Sequence, residues 1–260
     1  MLNSANKPAR SVDHMLQLFE VFRTYAKEEY GVTELSNAVG LHKNNVFRLL
    51  ATLCSKGFIE QNPVTENYRL GLGIFNLGEK FIHRFGMLSL AKPFMKKLTQ
   101  EFGESSYIGL LHGESAVYLG VSETLAPVRV ASRVGKSLPA HATDVGKVLL
   151  AELPGKTLTS LYYHKRLTRC TPNTITSFTD LKSSLREVAQ NGYAIDNEEL
   201  EMGIRSVAVA IHGFQSQPVA ALSISAPAVR LSMDKIRNKI VPILSQYSLE
   251  ISKRSGYDES

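Results

Sequence analysis

The stretch that most constrains this chain runs from Val32 to Leu53, VTELSNAVGLHKNNVFRLLATL. Its first half carries apolar Leu35, Ala38 and Val39, with Thr33 placed to cap a short helix. Its second half carries Val46, Leu49, Leu50 and Leu53, the i, i+3, i+4, i+7 stripe of an amphipathic helix. Gly40 separates the two. A glycine between two such helices is the turn of a helix-turn-helix, whose second helix lies in the DNA major groove. His42, Lys43, Asn44, Asn45 and Arg48 fall largely off the apolar stripe, where a recognition helix needs its donors. Between Leu41 and Gly57 the charged residues are Lys43, Arg48 and Lys56, all basic. The pattern alone also fits a surface helical hairpin with a solvated polar face.

The flanking residues favour the DNA reading. After Lys56 and Gly57, the segments FIEQN, PVTEN and YRLGL read as strand, turn and strand, the hairpin of a winged helix-turn-helix. Arg69 on the returning strand, with Asn62 and Asn67 at the tip, can meet phosphate oxygens, which position a protein without reading sequence. Upstream, Ser11 can cap a helix running to about Lys27, with Val12, Met15, Leu16, Phe19, Phe22 and Tyr25 inward. Arg10 precedes it on a polar arm, where it is either solvated or reaches a minor groove. The expected DNA-facing set is Arg10, Thr33, His42, Lys43, Asn44, Asn45, Arg48, Asn67 and Arg69.

Composition bounds the partners. The 260 residues suffice for two domains, and 43% hydrophobic with 21% charged residues describes an ordinary soluble chain. A net charge of +6 and a pI of about 9.2 permit nucleic-acid binding without proving it. Cys54 and Cys170 are far apart, with no Cys/His spacing for a metal, which predicts a reducing, cytoplasmic setting and no metal. No apolar run approaches the roughly 18 residues a membrane span requires, and no signal peptide opens the chain.

Gly71–Arg84 resumes a helical pattern through Leu72, Phe75, Leu77, Phe81 and Ile82, and Leu88–Phe102 forms a second helix. Exposed apolar residues of the first suit a twin chain, since helix-turn-helix proteins usually read two half-sites. From Ser105 the periodicity becomes that of strands. SYIGLLHGESAVYLGVSE is a hairpin turning on Gly113-Glu114, and PVRVASRVG is a further strand ending in the loop Gly135–Pro139. A short helix follows over Asp144–Leu153. Residues 155–178 read as irregular, and Thr179 or Asp180 caps a helix to Gln190. Then come the strand YAIDN, the acidic turn EELEMG, the hairpin strands SVAVAIHG and VAALSISA, and a last helix capped by Ser232. Strands and helices mix without βαβ alternation, which predicts an α+β fold with an antiparallel sheet.

These blocks carry a resemblance. SVDHMLQLFEVF, VTELSNAVGLHKNNVFRLLATLCSKGFIEQ, YRLGLGIFNLG, LPAHATDVGKVLLAELP, GYAIDNEELEMGIRSVAVAI and VAALSISAP, in this order, resemble the IclR family of bacterial transcription regulators along nearly the whole chain. The resemblance implies a winged helix-turn-helix over residues 1–72, a linker helix over 73–87 and a GAF-like effector-binding domain over 88–256. It implies double-stranded operator DNA and a small-molecule effector, often a small carboxylate or aromatic acid, as partners of a homodimer or dimer of dimers. No cofactor is implied.

The family's effector pocket carries over onto Thr143, Asp144 and Val145, onto Asp196, and onto Ser206, Ser223 and Ser225. The physics agrees: a helix opening at Thr143 presents N–H groups and a positive dipole end to a carboxylate. Ser223 and Ser225 point to one face of their strand. Alternatively these serines satisfy nearby backbone. Asp144 departs from the small residue usual in the family. It is expected to cap the helix and face outward; inward, it would repel an anion and favour a hydroxyl-bearing, amine-bearing or neutral ligand. Ser206 also departs, from cysteine or a small residue. Arg205 is expected to pair with Glu198 or Glu199, and His112 and His141 to be structural or solvated.

The chain shows no P-loop, dinucleotide-binding glycine motif, nucleophile elbow or zinc-protease motif, so a regulator is favoured over an enzyme. The alternative in another class is a metabolite-binding protein whose winged domain contacts protein.

Overall fold

The computed structural model describes residues 9–24, 27–163 and 165–257, without the side chains of residues 79–85. The expected inward side chain of Tyr25, and the Phe81 and Ile82 side chains of the next helical pattern, therefore lie outside what is described. The chain divides into two compact units, Met1–Arg84 and Phe85–Ser260.

The first unit is built from α1 (Arg10–Thr24), α2 (Val32–Val39), α3 (Lys43–Ser55), β1 (Ile59–Gln61) and β2 (Tyr68–Leu70), followed by α4 (Leu72–Phe85). Its core joins Leu18 and Val21 of α1, Leu35 of α2, Val46, Leu50 and Leu53 of α3, and Ile59 and Tyr68 of the hairpin. The inward face of α1 is thus rotated from the sequence expectation: Leu18 is fully buried, while Val12 and Leu16 are about half exposed. Met15, Phe19 and Phe22 pack at its margin. Gly40 ends α2 at φ +68, the left-handed conformation that glycine adopts without a Cβ penalty. The cap of α2 differs from expectation. Gly31 is the N-cap, Thr33 lies inside the helix, and the Glu34 carboxylate accepts the Gly31 N–H at 3.0 Å. Similarly α1 starts at Arg10, with Val12 N–H bonded to the Ala9 carbonyl, so Ser11 sits within the helix.

The second unit begins with α5 (Met87–Phe102), after Gly86 in a left-handed conformation. Its six-stranded sheet has the order β5-β4-β3-β8-β7-β6, all pairs antiparallel. The strands are β3 (Ser105–His112), β4 (Ser115–Ser122), β5 (Ser137–Pro139), β6 (Ala194–Asn197), β7 (Ile204–His212) and β8 (Pro218–Pro227). The helices are α6 (Asp144–Ala151), α7 (Gly155–Tyr162), α8 (Phe178–Asn191), and a final run of α9 (Met233–Lys235), a π-helical stretch (Ile236–Ile240) and α10 (Val241–Arg254). Ser232 caps that run as expected, its side chain accepting from the Lys235 N–H.

Three expectations are corrected. PVRVASRVG has no strand of its own beyond a single bridge from Val134 to Tyr118, and the short strand β5 lies instead within the expected loop. The irregular stretch after Pro154 contains α7, whose Leu158 and Tyr162 are buried. The cap of α8 is Ser177, not Thr179 or Asp180, with its hydroxyl accepting from Asp180 N–H at 3.0 Å. Small residues Ala194, Ala208, Ala210 and Ala221 pave the sheet beneath α6, whose Val145, Val148 and Leu149 complete that core.

Candidate DNA interface and effector site

The recognition helix α3 presents Lys43, Asn44, Asn45 and Arg48 to solvent. Val46, Leu50 and Leu53 anchor its other side in the core. Among the described residues Lys43 and Arg48 make no ion pair, so both cations are free for phosphate or base edges. A groove of about 420 Å³ runs beside them, lined by Ser11, His14, Asn45, Arg48, Leu49 and Thr52. His42 has another role: its Nδ1 caps α3 by accepting the Asn44 N–H at 3.3 Å. Arg10 and Thr33 are exposed.

The wing is tied down by its own polar groups. Arg69 Nε donates to Glu60 at 2.5 Å and Nη1 to Glu29 at 3.3 Å. Asn62 caps the turn, accepting Val64 N–H at 2.9 Å, and its amide donates to Glu29. Asn67 is half-buried at the base of the turn. Arg69 can therefore reach a phosphate only by leaving carboxylates it already holds, whereas among the described residues Lys43 and Arg48 on α3 hold none.

In the second unit the sheet register brings the predicted pocket residues together. Asp196 on β6 faces Ser206 on β7, Ser206 faces Ser225 on β8, and Ser225 faces Ser105 on β3. Directly opposed residues share a face, so these four form one row across the sheet. Ser223 lies in the next row of that face, opposite Tyr107 and Ala208. The N-terminus of α6 completes the cluster, with Thr143, Asp144 and Val145 all fully buried.

Asp144 faces inward, correcting the outward expectation. It is fully buried, and the Ser223 hydroxyl donates to its Oδ2. The outward reading failed because Thr143 already caps α6, its Oγ1 accepting Gly146 N–H at 3.0 Å, which leaves no capping role for the next residue. The Val145 N–H beside the Asp144 carboxyl also favours its charged form. Of the helix-end donors expected to hold a ligand's carboxylate, the Gly146 N–H is thus occupied by the chain's own Thr143. Val145 contributes its N–H, while its side chain belongs to the core against β3.

Two buried carboxyls share the cluster. Burial pushes Asp144 above the usual carboxylate range, partly offset by the Ser223 hydrogen bond. Burial and then the neighbouring Asp144 charge push Asp196 up to about 7. Asp196 Oδ1 accepts Glu199 N–H at 2.7 Å and Leu200 N–H at 3.3 Å, holding the acidic turn.

Sequence reasoning missed the cation. Arg133 is 5% exposed and stands near both carboxyls. Burial works against its charge, but Tyr118, Asp144 and Asp196 more than offset this and its pKa is raised. It was read as part of a strand, and an arginine amid valines carries no local sign that the backbone will turn it inward. Tyr107 and Tyr118, packed edge to face with ring centroids 5.7 Å apart, were legible as inward-alternating residues of β3 and β4. Lys147 of α6 bonds the Ile195 carbonyl at 2.6 Å and pairs with Glu199, a buried tie between α6 and the β6 turn.

Unpartnered polar atoms concentrate here. Tyr118 Oη, Arg133 Nη2, Asp144 Oδ1, Asp196 Oδ2, Ser206 Oγ and Ser225 Oγ are buried without a hydrogen bond among the described residues. Each such atom ordinarily costs on the order of 1–3 kcal/mol when left unmet.

The other candidates are structural. Arg205 bonds Asn197 at 2.8 Å and the Leu231 carbonyl at 2.6 Å, with Glu198 3.7 Å away, as expected. His141 Nε2 meets the Thr168 carbonyl at 3.0 Å. Among the described residues no group of three potential metal ligands converges.

A three-helix head with an antiparallel wing, joined in one chain to an α+β sheet domain, is the build of a transcription regulator. The chain matches the IclR helix-turn-helix domain over residues 11–63 and the bacterial transcriptional regulator IclR C-terminal domain over residues 79–253. It belongs to the IclR family. It is 35% identical to the regulator XynR of Escherichia coli K12 over 248 residues, 95% of this chain and 98% of that protein. It is 34% identical to KdgR of Dickeya chrysanthemi over 255 residues, 98% and 83% of the two chains. Its structure resembles that of Thermotoga maritima IclR with a TM-score of 0.79 at 28% identity, covering 95% and 99% of the two chains. A Microbacterium hydrocarbonoxydans IclR homologue, crystallised with 4-hydroxybenzoate, shares the fold at a TM-score of 0.83 and 20% identity, over 94% and 98% of the chains. These relatives are regulators of transcription, and the chain is a DNA-binding regulator, not an enzyme.

Proposed function

We propose that a small metabolite held by the cluster of Asp144, Asp196, Ser206, Ser223 and Ser225 sets the affinity of this regulator for its operator. The carrying observation is the set of buried polar atoms without partners on one sheet face, beneath the end of α6. Binding of 4-hydroxybenzoate by a protein of the same fold supports a ligand-responsive domain. The domains are proposed to divide at residues 72 and 87, with α4 as the linker.

The DNA-binding form is a homodimer, or a dimer of dimers, placing two α3 helices in successive major grooves. Leu72, Phe75 and Leu77 on α4 are more than half exposed and suit burial against a second copy. Among the described residues no helix is long and apolar enough to cross a membrane, which fits a regulator working on DNA in the cytoplasm.

The test is a gel shift with the DNA upstream of the protein's own gene, followed by titration of small metabolites against the bound complex. The reading requires a shift at low salt that weakens as salt rises and a ligand that changes it. Substituting Asp196→Asn should alter the response to ligand and leave the unliganded shift in place. No shift at low salt would overturn it.

A further inference from the structure

We infer that Asp144 makes this site selective for a ligand rich in hydroxyl groups, disfavouring simple carboxylates and aromatic acids. The inference rests on the cluster being the effector site, as proposed above, and concerns what that site accepts.

The unmet groups define the ligand's chemistry. Asp144 Oδ1 and Asp196 Oδ2 are acceptors, Arg133 Nη2 is a donor, and the hydroxyls of Tyr118, Ser206 and Ser225 can do either. A ligand offering only a carboxylate brings acceptors alone. It would satisfy Arg133 and the hydroxyls, but beside each carboxyl that is ionised it meets a like charge and finds no donor. At the start of α6 the Gly146 N–H is taken by Thr143, and the buried Asp144 carboxyl stands where an anion would meet the helix end. An ammonium ligand brings donors alone and must sit beside the Arg133 charge. A ligand hydroxyl both donates and accepts, so several hydroxyls satisfy the whole set. The row Asp196, Ser206, Ser225 crosses two strand spacings, about 10 Å, so these groups are met by a chain of hydroxyls, not by one. A single carboxylate on such a molecule is tolerated facing Arg133, which outside the cluster meets the exposed Glu201 at 3.8 Å.

Isothermal titration of the full-length protein decides this with four probes: D-sorbitol, D-gluconate, hexanoate and benzoate. Sorbitol and gluconate separate a neutral polyol from a hydroxylated acid, and hexanoate is a hydroxyl-free acid of the same chain length. The expectation is saturable binding of sorbitol or gluconate at least about tenfold tighter than of hexanoate or benzoate. Asp144→Asn and Asp144→Ala should weaken the hydroxylated probe about tenfold and strengthen the hydroxyl-free acids, reversing or levelling the order. Both variants are checked by thermal melting; the asparagine keeps the shape and removes a buried charge. Tighter binding of hexanoate or benzoate by the wild type, no binding of either hydroxylated probe, or an unchanged order in both variants overturns the inference. Binding that is unaffected by Asp196→Asn and Ser206→Ala as well would instead overturn the placing of the effector in this cluster.

Discussion

Two buried carboxyls and one guanidinium make the charge of the cluster depend on pH in the range where cells live. An unfolded Asp196 gives up its proton near 3.8, whereas the folded one holds it until about 7. Between those values the folded state binds the extra proton, so this group's contribution to stability is fully present below about pH 4. It is lost as pH rises through about 7. Asp144 is shifted in the same direction. Melting temperatures measured from about pH 5 to about pH 8 should fall more in the wild type than in Asp196→Asn, whose amide oxygen can still accept the Glu199 and Leu200 N–H groups; parallel curves would refute the shift. On the DNA side, Arg48→Ala should weaken operator binding and reduce the salt dependence by about one counterion if the contact is to phosphate. Ligand binding by the same variant should be unchanged; equal loss of both would indicate a misfolded protein.

At the scale of elements, the short helix α6 is fixed by a close approach. A Cβ on Gly146 would come within 2.1 Å of the Ala140 carbonyl oxygen, backbone that cannot yield as a side chain can. Gly146→Ala should therefore destabilise the second unit by about 2 kcal/mol or more, read by urea denaturation, and loosen the cluster held at the helix end. Elements with strong period were legible from residues alone. The stripe Val46, Leu50 and Leu53 fixed α3, and alternation along β8 put Ser223 and Ser225 on one face, whereas Ser206 on the uniformly buried β7 came only through the resemblance. Where several neighbours compete, the pattern misled. PVRVASRVG alternates like a strand, yet Val128 is exposed, Val130 is buried, and the segment is held by scattered bonds such as Arg230 Nη2 on the Val128 carbonyl and Gly135 N–H on the Tyr118 carbonyl, both at 2.9 Å. The helix α7 hid among threonines, although Leu158 and Tyr162 have helical spacing. Asp144's direction depended on Thr143 taking the cap, a contest between adjacent residues that propensity does not decide.

For the whole molecule, the family relation fixes a DNA-binding head and a C-terminal domain, and the proposed coupling joins them. Light scattering should give a dimer or tetramer mass, and Phe75→Ser should shift it toward monomer if α4 supplies the interface; an unchanged mass would place the interface elsewhere. Coupling between ligand and operator must be reciprocal, and at the usual 1–3 kcal/mol it amounts to roughly five- to 150-fold in affinity. The most direct test measures operator affinity by fluorescence anisotropy with and without the tightest-binding hydroxylated probe, and probe affinity with and without operator. The account predicts the same factor in both directions for the wild type, and a smaller one when Ser206→Ala and Ser225→Ala weaken the cluster. An operator affinity that stays fixed while the probe is bound would contradict it.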